Sequence, residues 1–242
     1  MSYAELRTVK GADGSASEPR GAYELNGAYE RQEAGQGHAF YNKIGKRLLD
    51  LGLSLFLMPV LLPVMIGIWI AIRVDGGAAT FAQPRVGRNG RVFTCYKFRS
   101  MVPEAERVLA EMCAQDPVIA QEWAAHQKLR SDPRVTRIGA FLRKTSLDEL
   151  PQIFNVLRGD MSLVGPRPFL PAQKDIYDAL GGQAYYRLRP GVTGLWQICS
   201  RNDTTFAARV HFDESYARKL GLQSDLSLIL QTAKVVVRHT GA

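Results

Sequence analysis

Hydrophobic positions along this chain fall into one dominant block and several short periodic ones. The block is residues 51–72, which carry no formal charge and hold Pro59 and Pro63 near their middle. A bilayer core is crossed by roughly 20 apolar residues, so length permits a span. Each proline lacks an N–H and presses on the carbonyl four residues earlier, at Leu55 and Pro59, which interrupts a straight helix. Basic residues flank both ends, Lys43, Lys46 and Arg47 before and Arg73, Arg85 and Arg88 after. The positive-inside rule gives a single span only one cytoplasmic end. A helix that enters, breaks at the prolines and leaves by the same face satisfies both signals. It predicts a cytoplasmic domain held against a membrane. A buried core helix is the bland alternative, although such helices seldom run uncharged beyond about 14 residues. A cleaved signal peptide is disfavoured, because no small-residue cleavage site follows the run. A kinked but complete span stays open, since membrane helices tolerate proline.

Beyond the block, residues 80–86 and 91–99 read as two strands around Gly87-Arg88-Asn89-Gly90, where Asn-Gly supplies the positive φ angles of a tight hairpin. Phe93, Cys95, Lys97 and Arg99 alternate onto one face of the second strand, so both cations point at the same place. The bland reading of that face is a solvated edge protected by charge. Residues 103–129 are helix-like, with Glu104 and Glu106 in the first turn and a break at Asp116-Pro117. A turn at residues 131–134 follows. Gly165-Pro166-Arg167-Pro168 and residues 188–194 are stiff loops whose Gly and Pro fix the backbone around an arginine. Residues 225–238 form a final helix with one apolar side, suited to packing or to lying on a membrane.

Asp148 and Glu149 precede a short apolar run, residues 150–157. Ser146-x-x-Glu149 fits a capping box, and first-turn acids are favoured by the helix dipole, so a purely structural role is available. Their surroundings suggest more. Arg143, Lys144, Arg158 and Arg167 lie close in sequence, and the Lys97/Arg99 face is free to join them. A helix start ringed by guanidinium groups suits phosphate. An ionised carboxylate there is a nucleophile that needs no base. Its neighbour could hold Mg²⁺ against phosphate oxygens.

Composition narrows the partners. The formal charge is +8 over 242 residues, which suits acidic lipid, a phosphorylated substrate or nucleic acid. Nucleic acid is disfavoured, because no recognition helix or aromatic-basic platform stands out. The three cysteines, Cys95, Cys113 and Cys199, form no CxxC pair and no zinc pattern, as suits a reducing compartment. No GxGxxG after a strand, Walker motif, HExxH or GxSxG occurs. Residues 1–42 are rich in Gly, Ala, Ser and Glu and read as a flexible tail with a short helix near 21–31.

Several blocks carry a resemblance in one continuous order. They are Lys46-Arg47-Leu48-Leu49-Asp50, Gln83-Pro84-Arg85-Val86-Gly87, residues 96–101, Asp132-Pro133-Arg134-Val135-Thr136, residues 142–152, residues 155–168 and Arg189-Pro190-Gly191-Val192-Thr193-Gly194. Together they resemble the bacterial sugar transferases, the monotopic polyprenyl-phosphate phosphoglycosyl transferases. Within these the chain is most similar to types that initiate exopolysaccharides with galactose- or glucose-phosphate. The resemblance implies an α+β monotopic fold with a re-entrant helix-break-helix, amphipathic surface helices and a small β-hairpin or sheet around the site. The implied organisation is a tail over 1–42, a membrane helix over 43–74 and a catalytic domain over 75–242, without the multi-span N-terminal domain of longer members. It implies transfer of a hexose-1-phosphate from a UDP-sugar to undecaprenyl phosphate with release of UMP, at the cytoplasmic face of the bacterial inner membrane. Asp148 takes the family's nucleophile position and Glu149 the position of the acid that assists with Mg²⁺. Lys97, Arg99, Arg143, Arg167 and Arg189 are the candidate phosphate ligands. Two departures stand out: Met58 precedes Pro59 where members often have Ser, and Gly77-Ala78 replaces the usual Gly-Pro. The oligomeric state is left open, with a homodimer among the options.

Two rival classes remain. A non-enzymatic scaffold that binds acidic membrane lipids explains the charge and the apolar block, but not an acidic pair among Pro-Arg loops. A lipid-phosphate hydrolase with an aspartyl-phosphate is closer in chemistry, and the demand for a UDP-sugar separates it from a transferase.

Overall fold

The computed structural model describes residues 40–74, 76–126, 129, 131–199 and 206–237. The expected tail falls outside these residues up to position 39, as do its short helix and Arg238. A π-turn over Tyr41–Gly45 leads into α1, Lys46–Val74, which is 29 residues or about 43 Å long. Its Leu- and Met-rich sequence favours helix. Both prolines lie inside it and neither ends it. They sit on its exposed side, beside Phe56, Val60, Leu62 and Val64. Only two ladder bonds are lost there, and the opposite side carries the helix through.

That opposite side is a single stripe. Asp50, Ser54, Met58, Leu61, Met65, Ile68 and Ile72 recur at steps of four and three, the period of one helix face. The apolar members pack on Ala79, Phe98, Leu142 and Ile153, the main core cluster. Elsewhere α1 is exposed: 11% of its most apolar window is buried. It is long and apolar enough to cross a membrane, and it is not a buried core helix.

Polar contacts fasten the start of α1. Asp50 is 1% exposed and accepts hydrogen bonds from the Ser162 hydroxyl at 2.9 Å and the Leu163 amide at 3.0 Å. Arg47 donates to the carbonyls of Val156 and Leu157. Lys46 pairs with buried Asp225 at 2.7 Å, which also accepts from the Tyr41 and Tyr216 hydroxyls. At the far end Arg99 donates to the Ile72 carbonyl at 3.3 Å. Both ends of α1 therefore rest on the same body.

The hairpin forms as its sequence predicts. Strand β1 (Thr80–Val86) pairs antiparallel with β2 (Val92–Phe98), with Phe81 opposite Lys97 and Arg85 opposite Phe93. Asn89 and Gly90 have φ of 58° and 72°, as the tight turn requires. Helices α2 (Ala105–Gln115) and α3 (Pro117–His126) break at Asp116-Pro117, where the Asp116 carboxylate accepts from the Val118 amide. Helix α4 (Arg137–Thr145) begins on a Thr136 cap. A Cβ on Gly139 would lie 1.9 Å from the Ser100 carbonyl oxygen, so only glycine lets α4 approach that strand end.

After the 3-10 turn Leu147–Glu149 come α5 (Gln152–Arg158) and β3 (Ser162–Val164). Helices α6 (Lys174–Ala179) and α7 (Ala184–Arg187) then lead to β4 (Gly191–Thr193), which pairs parallel with β3. The two stiff loops stack on each other through glycines: a Cβ on Gly191 would lie 2.1 Å from the Gly165 nitrogen. Helices α8 (Leu195–Cys199), α9 (Phe206–Arg218) and α10 (Leu222–Val237) complete the described chain.

Asp50→Leu removes the acceptor for two buried donors, and a loss of about 2–4 kcal/mol is expected in detergent unfolding measurements. Ser54→Ala is expected to be neutral or stabilising, because the buried Ser54 hydroxyl has no partner among the described residues.

Candidate active site

Asp148 and Glu149 do not begin a helix. Ser146 ends α4 in the left-handed region, φ 58°, with no side-chain cap onto the turn that follows. The capping box expected from Ser146-x-x-Glu149 is therefore not formed, because Ser146 is already used as the C-cap of the preceding helix. The acids sit in the 3-10 turn instead. Leu147 and Leu150 flank them and pack on the cluster that holds Met65 and Ile72 of α1. The pair is thus set directly beside the long apolar helix.

Strand β2 delivers the first cation. Lys97 Nζ lies 2.7 Å from Glu149 Oε1 and 3.9 Å from Asp148 Oδ2. Asn155 of α5 locks this arrangement, accepting from the Tyr96 amide at 3.1 Å and donating to the Thr94 carbonyl at 2.7 Å. The Gly165-Pro-Arg-Pro loop delivers the second: Arg167 is 3.6 Å from Glu149 Oε1, with its guanidinium over the Trp196 ring. Arg143 donates to the Ser100 hydroxyl at 2.8 Å and acts on Asp148 through its field. Lys97, Arg143 and Arg167 thus gather at the acids. Arg99 does not join them but braces the end of α1. Arg189 lies beyond the other end of α5, where it donates to the Gly159 carbonyl.

Burial raises the Asp148 carboxyl above its ordinary value, and Glu149 adds to this, while Lys97 and Arg143 oppose it. A helix start would favour an ionised Asp148, but in this 3-10 turn desolvation outweighs the cations. The two neighbouring carboxylates present hard oxygen donors, a set that fits Mg²⁺ when phosphate and water complete the shell. Among the described residues no group of three or more His, Cys, Asp or Glu side chains forms a metal cluster.

Two further arginines belong to this region. Arg85 joins Lys97, Glu149 and Arg167 around a gap of about 10 Å³ and donates to the Pro168 carbonyl. Strand register held that signal: residues 81, 83 and 85 face the same way as their partners 97, 95 and 93. Buried Arg209 lies over the rings of Phe169, Phe206 and Trp196, so it shares Trp196 with Arg167. No local pattern in α9 marked it.

A basic cluster thus surrounds a half-buried carboxylate pair beside an exposed apolar helix. The family model for bacterial sugar transferases matches residues 41–239, and the chain belongs to that family. It is 48% identical to an undecaprenyl-phosphate galactose phosphotransferase of Salmonella typhimurium, over 81% of this chain and 41% of that protein. It is 41% identical to exopolysaccharide production protein ExoY of Sinorhizobium fredii, over 82% of this chain and 88% of that one. A UDP-glucose:undecaprenyl-phosphate glucose-1-phosphate transferase of Escherichia coli is 36% identical over 79% of this chain and 40% of its own length. The chain thus spans about two-fifths of the phosphotransferase relatives and most of ExoY.

The raised Asp148 pKa fixes the sign of a stability effect. The native state holds this proton more tightly than the unfolded chain, so stability falls as pH rises from the ordinary carboxylate range through the raised value. Asp148→Asn is expected to melt above the wild type near neutral pH, with the difference shrinking as pH falls. Equal melting at both ends of the titration would show that the desolvation is relieved in solution.

Proposed function

We propose that the protein transfers a hexose-1-phosphate, with galactose or glucose as the hexose, from a UDP-sugar to undecaprenyl phosphate and releases UMP. This would be the first membrane step of exopolysaccharide or related glycan synthesis. The observation that carries the reading is the Asp148-Glu149 turn, held among Lys97, Arg143 and Arg167 and packed through Leu147 and Leu150 against α1.

The cations draw the donor's diphosphate to the pair. An Asp148 oxygen attacks the sugar-bearing phosphorus, the bond from that phosphorus to the bridging oxygen breaks, and UMP leaves with the electron pair. The lipid phosphate then attacks the same phosphorus, restoring the carboxylate and forming the polyprenyl diphosphate sugar. One phosphoanhydride replaces another, so a covalent intermediate splits the exchange into two displacements at one site. Glu149 orients Lys97 and Arg167. Mg²⁺ held by the two carboxylates would neutralise charge on the phosphate oxygens. Lys97 and Arg143 oppose the burial that raises the Asp148 pKa and so favour the ionised form that attacks.

The same reading places α1 in one leaflet, with the catalytic domain on the cytoplasmic side of the bacterial inner membrane. It is supported by the basic flanks and by the contacts of Asp50 and Ile72, which hold both ends of α1 on one domain. A site at headgroup depth spares the enzyme from lifting a polyprenyl chain into water, at about 0.8 kcal/mol per exposed CH₂.

Enzyme exposed to a UDP-sugar without lipid, then denatured, is expected to gain one sugar-phosphate mass on Asp148 while UMP appears. Asp148→Asn should show neither, and Glu149→Gln should slow turnover about 10²-fold or more and blunt its Mg²⁺ response. UMP release that requires both substrates together would overturn the covalent step. In a cysteine-free background, Ser17→Cys and Ala78→Cys are both expected to resist impermeant thiol reagents in intact cells. Labelling of the Ser17→Cys variant alone from outside would establish a full span.

A further inference from the structure

A second cavity lies away from the acidic pair. It has a volume of about 700 Å³ and is lined by Lys46, Arg47, Arg88, Arg187, Arg189 and Arg218. Two acids, Asp50 and Glu214, share the lining. Both have other partners: Asp50 accepts from Ser162 and Leu163, and Glu214 from the amides of Gln183 and Ala184. Lys46 is neutralised by Asp225, and Arg187 lies 3.8 Å from Glu214. Arg47, Arg88, Arg189 and Arg218 make no ion pair among the described residues. Arg47 and Arg189 are held by main-chain carbonyls of residues 156, 157 and 159, which fix their forks without cancelling their charge. Burial, then the neighbouring Arg88 and Arg47, push the Arg189 guanidinium below its ordinary value.

A concave site with several uncompensated guanidinium groups, two of them already oriented, selects a multiply charged oxyanion. Its place selects the source. Lys46 and Arg47 open the apolar helix, and Ile44 and Leu48 beside them are 49% and 61% exposed. That exposed apolar surface continues along the helix that carries Lys46 and Arg47, and Leu188 and Leu220 add an apolar wall inside the cavity. Helix α5 separates this cavity from the acids: Glu149 precedes its start, while Arg47 and Arg189 bind carbonyls at its end, about 10 Å away by helical rise.

We propose that this cavity binds the phosphate headgroup of an anionic membrane lipid, at a site separate from the Asp148-Glu149 pair. The lipid assignment rests on α1 lying in the membrane; the anion site does not depend on the chemistry at Asp148. Occupancy would offset the repulsion among the arginines and tie the start of α1 to the headgroup layer.

The test uses the full chain in a neutral detergent, with melting temperature followed against dihexanoyl phosphatidic acid, dihexanoyl phosphatidylcholine and inorganic phosphate. Phosphatidic acid is expected to raise the melting temperature in a saturable way, phosphatidylcholine to have no effect, and inorganic phosphate to bind about tenfold more weakly. The double variant Arg88→Gln/Arg218→Gln should weaken phosphatidic acid binding about tenfold or more, or about 1.4 kcal/mol. Both residues are exposed, and the single Arg88→Gln variant carries the same test if the double one melts early. Asp148→Asn should bind phosphatidic acid as the wild type does. Binding unchanged in the arginine variants, or lost in Asp148→Asn, would overturn the site. Inorganic phosphate binding as tightly as the lipid would assign the cavity to a soluble anion and overturn the lipid assignment.

Discussion

The fold depends on fastening a helix that water disfavours to a domain that water surrounds. Burial of apolar surface cannot do this alone, since most of the apolar surface of α1 points away from the domain. The first turns of α1 solve the problem with polar groups. Arg47 takes the carbonyls that end α5, Asp50 takes donors from β3, and Lys46 reaches the buried Asp225 in the first turn of α10. These bonds are directional, and their partners would be buried without acceptors or donors if the helix moved. They set the rotation of α1, so that Met65 and Ile72 face the core and the prolines face outward.

The orientation of α1 in turn positions the acidic turn. Leu147 and Leu150 are tied to the same cluster as Met65 and Ile72, so Asp148 and Glu149 cannot retreat from the helix. Desolvation there disfavours two adjacent carboxylates, and Lys97 and Arg167 compensate the charge. Burial and the neighbouring acid thus work against an ionised Asp148, and the cations work for it.

Helix α5 links the two basic regions. Its start follows the acidic pair, and Asn155 in its middle grips β2 and so holds Lys97 in place. Its last carbonyls accept from Arg47, and Gly159 just beyond it accepts from Arg189, the favoured place for cations on a helix. A seven-residue helix thus separates the acidic turn from the arginine-lined cavity while bracing both.

Local rules made the hairpin legible, because Asn89-Gly90 needs positive φ and the flanking residues alternate. The break at Asp116-Pro117 and the exposed apolar helix were legible for the same kind of reason, and ordered motifs identified the family. What sequence could not settle was which arginines meet. Arg99 and Lys97 share a strand face, yet one braces α1 and the other binds the acids, since Arg99 stands past the end of β2 beside Ile72. Arg189 lies in a loop like that of Arg167, yet it lines a different cavity. Arg209 was not legible either, because two of the three rings it lies over, Phe169 and Trp196, come from distant segments and only Phe206 from its own helix. Ser146 had the spacing of a cap and was used for a different one. Periodicity and turn chemistry are short-range, so the sequence alone determined the elements and the family. Long side chains choose partners across space, so the identity of each cation's partner was decided only by the tertiary structure.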